Sequence, residues 1–417
     1  KLPCLNHVSW NSMITGYVQN RLDHEALNCF KQMQDAGFVP DSISFLYILK
    51  ACGNIGSIEI GEEIYGKVSK EGLLEKDFKL GTAMMDMYAR CNMLEKAQKV
   101  FDNLVVRDIV SWTTLISGYI QNGLIDEAML YLQKMQDDGF YPGVATFISI
   151  LKACGSIECL HIGEQIHDEI RKNGLLEKNS VLGTTLVNMY VKCNMLERAQ
   201  DVFDSLCKRD VVSWSALIAG YAQHGHGEKA LNCFSLMQED GVSPDVVTFI
   251  VILKACGSIK SLEVGEEIHV KVRKEGLLEE NVMLGNALVD MYVKCGAMGK
   301  AQKLFDELRV RNVVCWNSLI GGYVQYGLGD EALKCFNRMQ GEGLSPDAIT
   351  FVCALKACGL IRSIEMGEEI RAEISKQKLL EKNINTGNAL LGMYVKCGVL
   401  EKAQVLFDEL PIRDTIS

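Results

Sequence analysis

Proline is scarce in this chain, six residues in 417, and no Pro-rich or low-complexity tract occurs. Long linkers are therefore unexpected, and 48% hydrophobic with 23% charged residues is a globular composition. Long apolar runs are missing as well. The most apolar stretches, such as Val246–Leu253, are far below the ~18–20 residues a membrane-spanning helix needs, so no membrane partner is expected. The opening Lys1-Leu2-Pro3-Cys4 is neither a signal peptide nor an Arg/Ser-rich transit peptide. Without an initiator Met the sequence reads as an internal fragment, with any targeting segment upstream. Positive charge is in deficit: 43 Lys and Arg stand against 53 Asp and Glu, a net of −10. Nucleic-acid binders are ordinarily basic. Net charge averages over every surface, however, and one groove can carry a different field. The acidic balance weighs against nucleic acid without excluding it.

Cysteine is plentiful, sixteen residues, but no Cys-x-x-Cys pair occurs and zinc-ligand spacing is missing. No metal or cofactor is expected. Most cysteines recur at one interval. Cys52, Cys154, Cys256 and Cys358 are 102 residues apart, and so are Cys91, Cys193, Cys295 and Cys397. Such recurrence reads as small buried hydrophobes in a reduced compartment. The four tryptophans, Trp10, Trp112, Trp214 and Trp316, keep the same interval, as do Pro40, Pro142, Pro244 and Pro346. An internal repeat of this kind decides the fold class.

Each 102-residue block divides into units of 35, 36 and 31 residues: His7–Asp41, Ser42–Asp77 and Phe78–Asp108 in the first block. The four blocks fill 7–108, 109–210, 211–312 and 313–414. Residues 1–6 end an earlier unit and 415–417 open a later one, so both ends read as cut within an array. Each unit reads as two helices joined by a short turn. Trp10, Met13, Ile14 and Tyr17 have the spacing of one apolar helix face, and Ala26, Leu27, Phe30 and Met33 that of a second. Asp23 is placed to cap the second helix, Gly37 to end it in the left-handed region, and Pro40 to stop it. Twelve such units predict an all-α, right-handed superhelical solenoid held mainly by nearest-neighbour packing.

The triplet closely resembles the P, L and S motifs of plant pentatricopeptide-repeat proteins of the PLS subfamily. The residues that carry the likeness are Val212-Ser213-Trp214-Ser215-Ala216-Leu217-Ile218 for P, and Leu253-Lys254-Ala255-Cys256-Gly257 with Gly265-Glu266-Glu267-Ile268 for L. For S they are Gly285-Asn286-Ala287-Leu288 with Asp290-Met291-Tyr292 and Lys294-Cys295-Gly296. The resemblance implies binding of single-stranded RNA, one base per unit, read by the fifth and last residues of a unit.

In the 35-residue units these pairs are Asn11/Asp41, Thr113/Gly143, Ser215/Asp245 and Asn317/Asp347. In the 31-residue units they are Thr82/Asp108, Thr184/Asp210, Asn286/Asn312 and Asn388/Asp414. The chemistry is reasonable: Asp only accepts and suits the ring N–H of U or G, whereas Asn accepts and donates and suits A or C. The family pattern pairs short hydroxyls at the fifth position with purines and Asn with pyrimidines. Gly143 departs from it, having no side chain to read with. The 36-residue units carry Leu46, Ile148, Ile250 and Val352 at the fifth position and are treated as spacers. The implied site is U-n-G-n-n-G-G-n-C-U-n-U.

The resemblance also implies phosphate contacts at Arg90, Lys192, Lys294 and Lys396, and base-sandwiching side chains at Val8, Val110, Val212 and Val314. Lys50, Lys152, Lys254 and Lys356 are equally periodic and are read as structural. The tryptophans are read as core. His167-Asp168-Glu169 matches part of a zinc-deaminase motif, but the downstream Pro-Cys-x-x-Cys is absent. No catalytic residue is expected, and the chain reads as a non-enzyme.

The leading functional expectation is the RNA-specificity array of a factor for C-to-U editing in chloroplasts or mitochondria. It would act as a monomer, with editing co-factors or a separate deaminase as further partners, and a deaminase domain could follow C-terminally. Alternatives are organellar RNA stabilisation or processing without editing, and a peptide-binding scaffold like tetratricopeptide arrays. The uniform 34-residue period of the latter does not match.

Overall fold

The computed structural model describes residues 6–70, 72, 77–177, 179–377 and 379–409. Among them are twenty-four helices of nine to fourteen residues, two single-turn helices at Leu277–Glu280 and Leu379–Lys382, and no strand. The helices form the expected hairpins. His7–Gln19 pairs with Asp23–Asp35, Ser42–Ile55 with Ile58–Lys70, and Phe78–Arg90 with Leu94–Asp102. The pattern repeats to Ile384–Cys397 with Leu400–Glu409. The chain divides into two compact bodies, Lys1–Arg209 and Asp210–Ser417. In each, the first helix of a unit packs on the first helices of its neighbours. Ser42–Ile55 lies against His7–Gln19 and Phe78–Arg90, and Val246–Ile259 against Val211–Gln223 and Val282–Lys294. This is the one-dimensional stacking of a helical solenoid.

The interval of 102 has a packing cause. Trp112 and Trp316 are buried, and each meets the preceding unit's phenylalanine edge-on, Phe101 at 4.7 Å and Phe305 at 4.4 Å. Glycine recurs where one helix must sit close on the next. A Cβ at Gly61 would stand 2.4 Å from Met87 Cε, and at Gly265 2.5 Å from Met291 Sδ. Gly37 has φ +82° and lets the chain turn out of Asp23–Asp35, with Phe38 N–H donating to the Met33 carbonyl over 3.1 Å. Cys52, Cys154, Cys256 and Cys358 are fully buried, and burial pushes each thiol up to about 12. Every described cysteine is a free thiol.

Two local expectations differ from the structure. Asp23 does not cap its helix, because Leu22 occupies that place with no side-chain bond. Asp23 is the first helical residue, buried, and accepts both bonds from the Asn54 amide of the next unit at 3.1 and 3.2 Å. Met13 is exposed, and the buried face of its helix is Trp10, Ile14 and Val18. Leu115 and Leu319 at the same position are buried, since each helix has a preceding 31-residue unit packed on it. Met13 has no such neighbour among the described residues.

Candidate nucleic-acid interface

A unit's last residue serves first as a helix cap. Asp41 stands in extended backbone before Ser42–Ile55 and accepts the Ser44 N–H at 2.9 Å. Asp108, Asp210, Asp245, Asn312 and Asp347 cap the following helices in the same way, at 2.8–3.0 Å. Gly143 has no cap to offer. Each cap satisfies an amide that the helix itself leaves unpaired. One side-chain oxygen of each capping residue is thus spent on the fold. At Asp245 only Oδ1 is engaged among the described residues, by the Thr248 amide and hydroxyl. Asp414 lies outside the described residues.

The fifth residue meets that cap where it is long enough. Asn11 Nδ2 donates to Asp41 at 3.1 and 2.9 Å, and Asn317 Nδ2 to Asp347 at 3.0 and 3.2 Å. The opposite end of each amide is fixed too: Ser44 Oγ donates to Asn11 Oδ1, and Thr350 Oγ1 to Asn317 Oδ1, both at 2.6 Å. Partial burial would raise the carboxyls of Asp41 and Asp347. The bonds from Ser44 or Thr350, and from the asparagine, outweigh it and hold both below the usual carboxylate range. Asn286 donates to Asn312 at 3.1 Å, but Cys315 stands where the hydroxyl should be. The Asn286 Oδ1 is buried with no partner among the described residues.

Short fifth residues have no hydrogen bond to the capping residue itself among the described residues. Ser215 Oγ donates to the Val211 carbonyl of its own helix at 2.6 Å and also lies 2.6 Å from Thr248 Oγ1 in the capping turn, and Thr82 Oγ1 donates to Phe78 O at 3.1 Å. Thr113 likewise turns back to Ile109 O at 2.6 Å and lies 3.1 Å from Thr146. A folded-back hydroxyl leaves more room beside the cap than an asparagine bridge does. That gives a steric reason for larger bases opposite Ser or Thr. Thr184 is buried, at 6% exposure, and belongs to the first body, whereas Asp210 opens the second. Asn388 is half-buried on the wall of a cleft described below.

The second residues present apolar groups to solvent. Val8, Val110, Val212 and Val314 are 57–71% exposed, on the first turn of their helices. Ile43, Val181, Val247, Met283 and Ile349 hold the same position in the other unit types and are 50–67% exposed. The sequence expectation named only the four valines. Apolar residues at the second place of most units, Lys79 and Asn385 excepted, are the signal for the rest.

The predicted phosphate cations are exposed and splinted. A Cβ on Gly53, Gly155, Gly257 or Gly359 would fall 2.9–3.2 Å from the Cδ of Arg90, Lys192, Lys294 or Lys396. The stem of each cation therefore lies along a bare stretch of the preceding unit's first helix. Arg90 pairs with Asp86, and Lys294 with Asp290, both at 2.8 Å. Lys192 and Lys396 have no ion pair among the described residues. In the second body, Ile349, Val352, Lys356, Asn383, Asn385 and Asn388 line a cleft of about 370 Å³.

No group of three or more His, Cys, Asp or Glu that could hold a metal occurs among the described residues. His167 is half-buried, with Nδ1 2.8 Å from Tyr190 Oη, and His269 meets Tyr292 in the same way at 2.7 Å. Among the described residues no helix is long and apolar enough to cross a membrane.

Stacked hairpins with paired polar groups at successive caps define a helical-repeat protein. Comparison with known proteins places it further. The profile of the PPR repeat family matches residues 5–54, 107–156, 209–258 and 311–359, and that of the PPR repeat matches 82–109, 184–211, 286–313 and 388–414. The chloroplastic pentatricopeptide repeat-containing protein At4g18520 of Arabidopsis thaliana is 33% identical over the whole chain, which covers 67% of that protein. The mitochondrial At3g09040 of the same plant is 35% identical over 99% of the chain and 40% of its own length. The chain spans 50% and 59% of two further relatives, one chloroplastic and one mitochondrial. These names are in keeping with an organellar location. The crystal structure of the pentatricopeptide repeat protein PPR10 from maize superposes with a TM-score of 0.56 at 18% identity, over 97% of this chain and 64% of that one. PPR10 in complex with an 18-nt psaJ RNA element gives 0.55 at 19%, over 95% and 61%. The chain belongs to the pentatricopeptide repeat family.

Proposed function

We propose that the array binds single-stranded RNA sequence-specifically, one base per unit, with the fifth and last residues as the reading pair. The observation that carries the reading is the repeated triad Asn11–Asp41–Ser44 and Asn317–Asp347–Thr350. Each fixes a polar edge at the rim of a hairpin, beside an exposed apolar second residue. A base edge can bond to the free face of the couple while its flat face lies on Val8 or Val314. The RNA-bound state of PPR10 supports the ligand class. The site is U-n-G-n-n-G-G-n-C-U-n-U, with Arg90, Lys192, Lys294 and Lys396 on phosphates.

The finer role is targeting of C-to-U editing in an organelle. Its support is the 35/36/31 triplet, which resembles the PLS subfamily. In this role the chain supplies specificity and the deaminase is a separate partner or domain. The test is binding to the predicted RNA and to a scrambled one of equal composition, at two salt concentrations. The proposal expects tighter binding to the predicted RNA at both. These four phosphate contacts contribute about −3 to the log–log salt slope, at roughly −0.7 per phosphate on single strands. Equal affinity for the two RNAs contradicts sequence reading.

A further inference from the structure

The 36-residue units have aliphatic fifth residues and cannot read a base edge, yet they are not bare on the ligand side. The cleft of about 370 Å³ in the fourth block is built on such a unit: Ile349, Val352 and Lys356 on its first helix, and Asn383 as its last residue. Asn385 and Asn388 close it from the next unit. That volume is in the range of small-ligand sites. Among the described residues its walls hold aliphatic carbon, three amides and one ammonium, with no carboxylate. The Asn383 oxygen is used up capping Ile384–Cys397, at 3.0 Å from the Asn385 amide, so its Nδ2 is left to donate. A cleft whose one charge among the described residues is positive, and whose wall offers the Asn383 amide as a donor, suits an anion attached to something flat and apolar. A nucleotide is such a molecule.

Lys356 is not peculiar to this block. Lys50, Lys152 and Lys254 stand at the same place, one helical turn after Leu46, Ile148 and Ile250. All four lysines are exposed and none forms an ion pair among the described residues. Among the described residues no ion pair or hydrogen bond of theirs accounts for a lysine at this position. We infer that Lys50, Lys152, Lys254 and Lys356 form a second row of contacts to the RNA phosphate backbone. Each 36-residue unit then holds its nucleotide without choosing the base. The inference rests on the RNA-binding reading above, but not on its base assignments.

The test is a variant with Lys50→Gln, Lys152→Gln, Lys254→Gln and Lys356→Gln. Glutamine matches lysine in helix propensity, and circular dichroism checks the fold. Affinity is measured by fluorescence anisotropy from 50 to 200 mM salt, on both the predicted and the scrambled RNA. With both rows engaged the wild-type slope is about −6, and the variant slope returns to about −3, at roughly −0.7 per phosphate. The ranking of the four bases at the read positions does not change. A control with Lys31→Gln, Lys99→Gln, Lys303→Gln and Lys334→Gln removes the same charge from exposed second-helix sites. Its slope stays at the wild-type value. An unchanged slope in the first variant overturns the inference, as does an equal change in the control, which would report net charge alone. If wild type binds the two RNAs equally but the slopes still separate, the base code fails and the lysine row stands. If wild type binds neither RNA, both fall.

Discussion

Asn11 Nδ2 reaches both carboxylate oxygens of Asp41, thirty residues away, at 3.1 and 2.9 Å, and the same couple recurs between Asn317 and Asp347. Each aspartate is at once the end of one unit and the cap of the next. The polar edge proposed to meet RNA is therefore positioned by the hydrogen bond that starts a helix. This ties specificity to fold stability, and every substitution at such a site must be judged on both.

The exposed second residues separate the two effects. Val212 is 59% exposed and Leu217, in the same helix, is fully buried. Val212→Ser should change stability by no more than ~0.5 kcal/mol, as surface substitutions do, while weakening RNA binding. Leu217→Ala should cost ~2–5 kcal/mol through the lost burial and the cavity. Urea denaturation with anisotropy on the same samples checks both. Loss of stability in Val212→Ser would give that valine a core role instead.

Cys315 offers a repair. At Asn11 and Asn317 a hydroxyl from the capping turn donates to the amide oxygen at 2.6 Å, but at Asn286 that oxygen is buried and unpartnered among the described residues. Cys315→Ser restores the hydroxyl. The expected gain is ~0.5–1.5 kcal/mol, the net worth of one hydrogen bond, seen as a higher urea midpoint at unchanged m-value.

The capping carboxylates give a pH signature. The pKa values of Asp41 and Asp347 are lowered in the fold. Their stabilising contribution is complete above the unfolded-state value of ~3.9 and is lost as pH falls through the lower folded value. A variant with Asp41→Asn and Asp347→Asn keeps both caps, since asparagine caps as well as aspartate, and does not titrate. The urea midpoint of wild type should fall relative to this variant between pH 5 and pH 3. Parallel curves would show that the two carboxylates are not engaged as described.

Much of this was legible in the sequence, because a strict period of 102 residues leaves few other ways to place Trp, Gly, Cys and Pro. Hairpin boundaries followed from helical periodicity and from Gly37. The double duty of the last residue has a signal in the sequence: Asp41-x-x-Ser44 and Asp347-x-x-Thr350 have the spacing of a capping box. What the sequence hid depended on neighbours. Asp23 looks like a cap by type, but Asn54 from the next unit claims it. Met13 looks buried by spacing, but its burial needs a preceding hairpin. The stems of Lys192 and Lys294 lying over Gly155 and Gly257 could not be foreseen, since the contact joins residues 37 apart on different helices.

Asp245 supports the most direct measurement. Among the described residues only its Oδ1 is tied down, and Asp245→Asn preserves the cap while changing an acceptor into a group that also donates. Wild type and variant are each titrated with two RNAs, one carrying G and one A opposite this unit and otherwise identical. The account predicts crossed preferences, wild type favouring G and the variant favouring A, with a coupling of ~1–3 kcal/mol as for a good base contact. Parallel affinities, both proteins ranking the two RNAs alike, would contradict it.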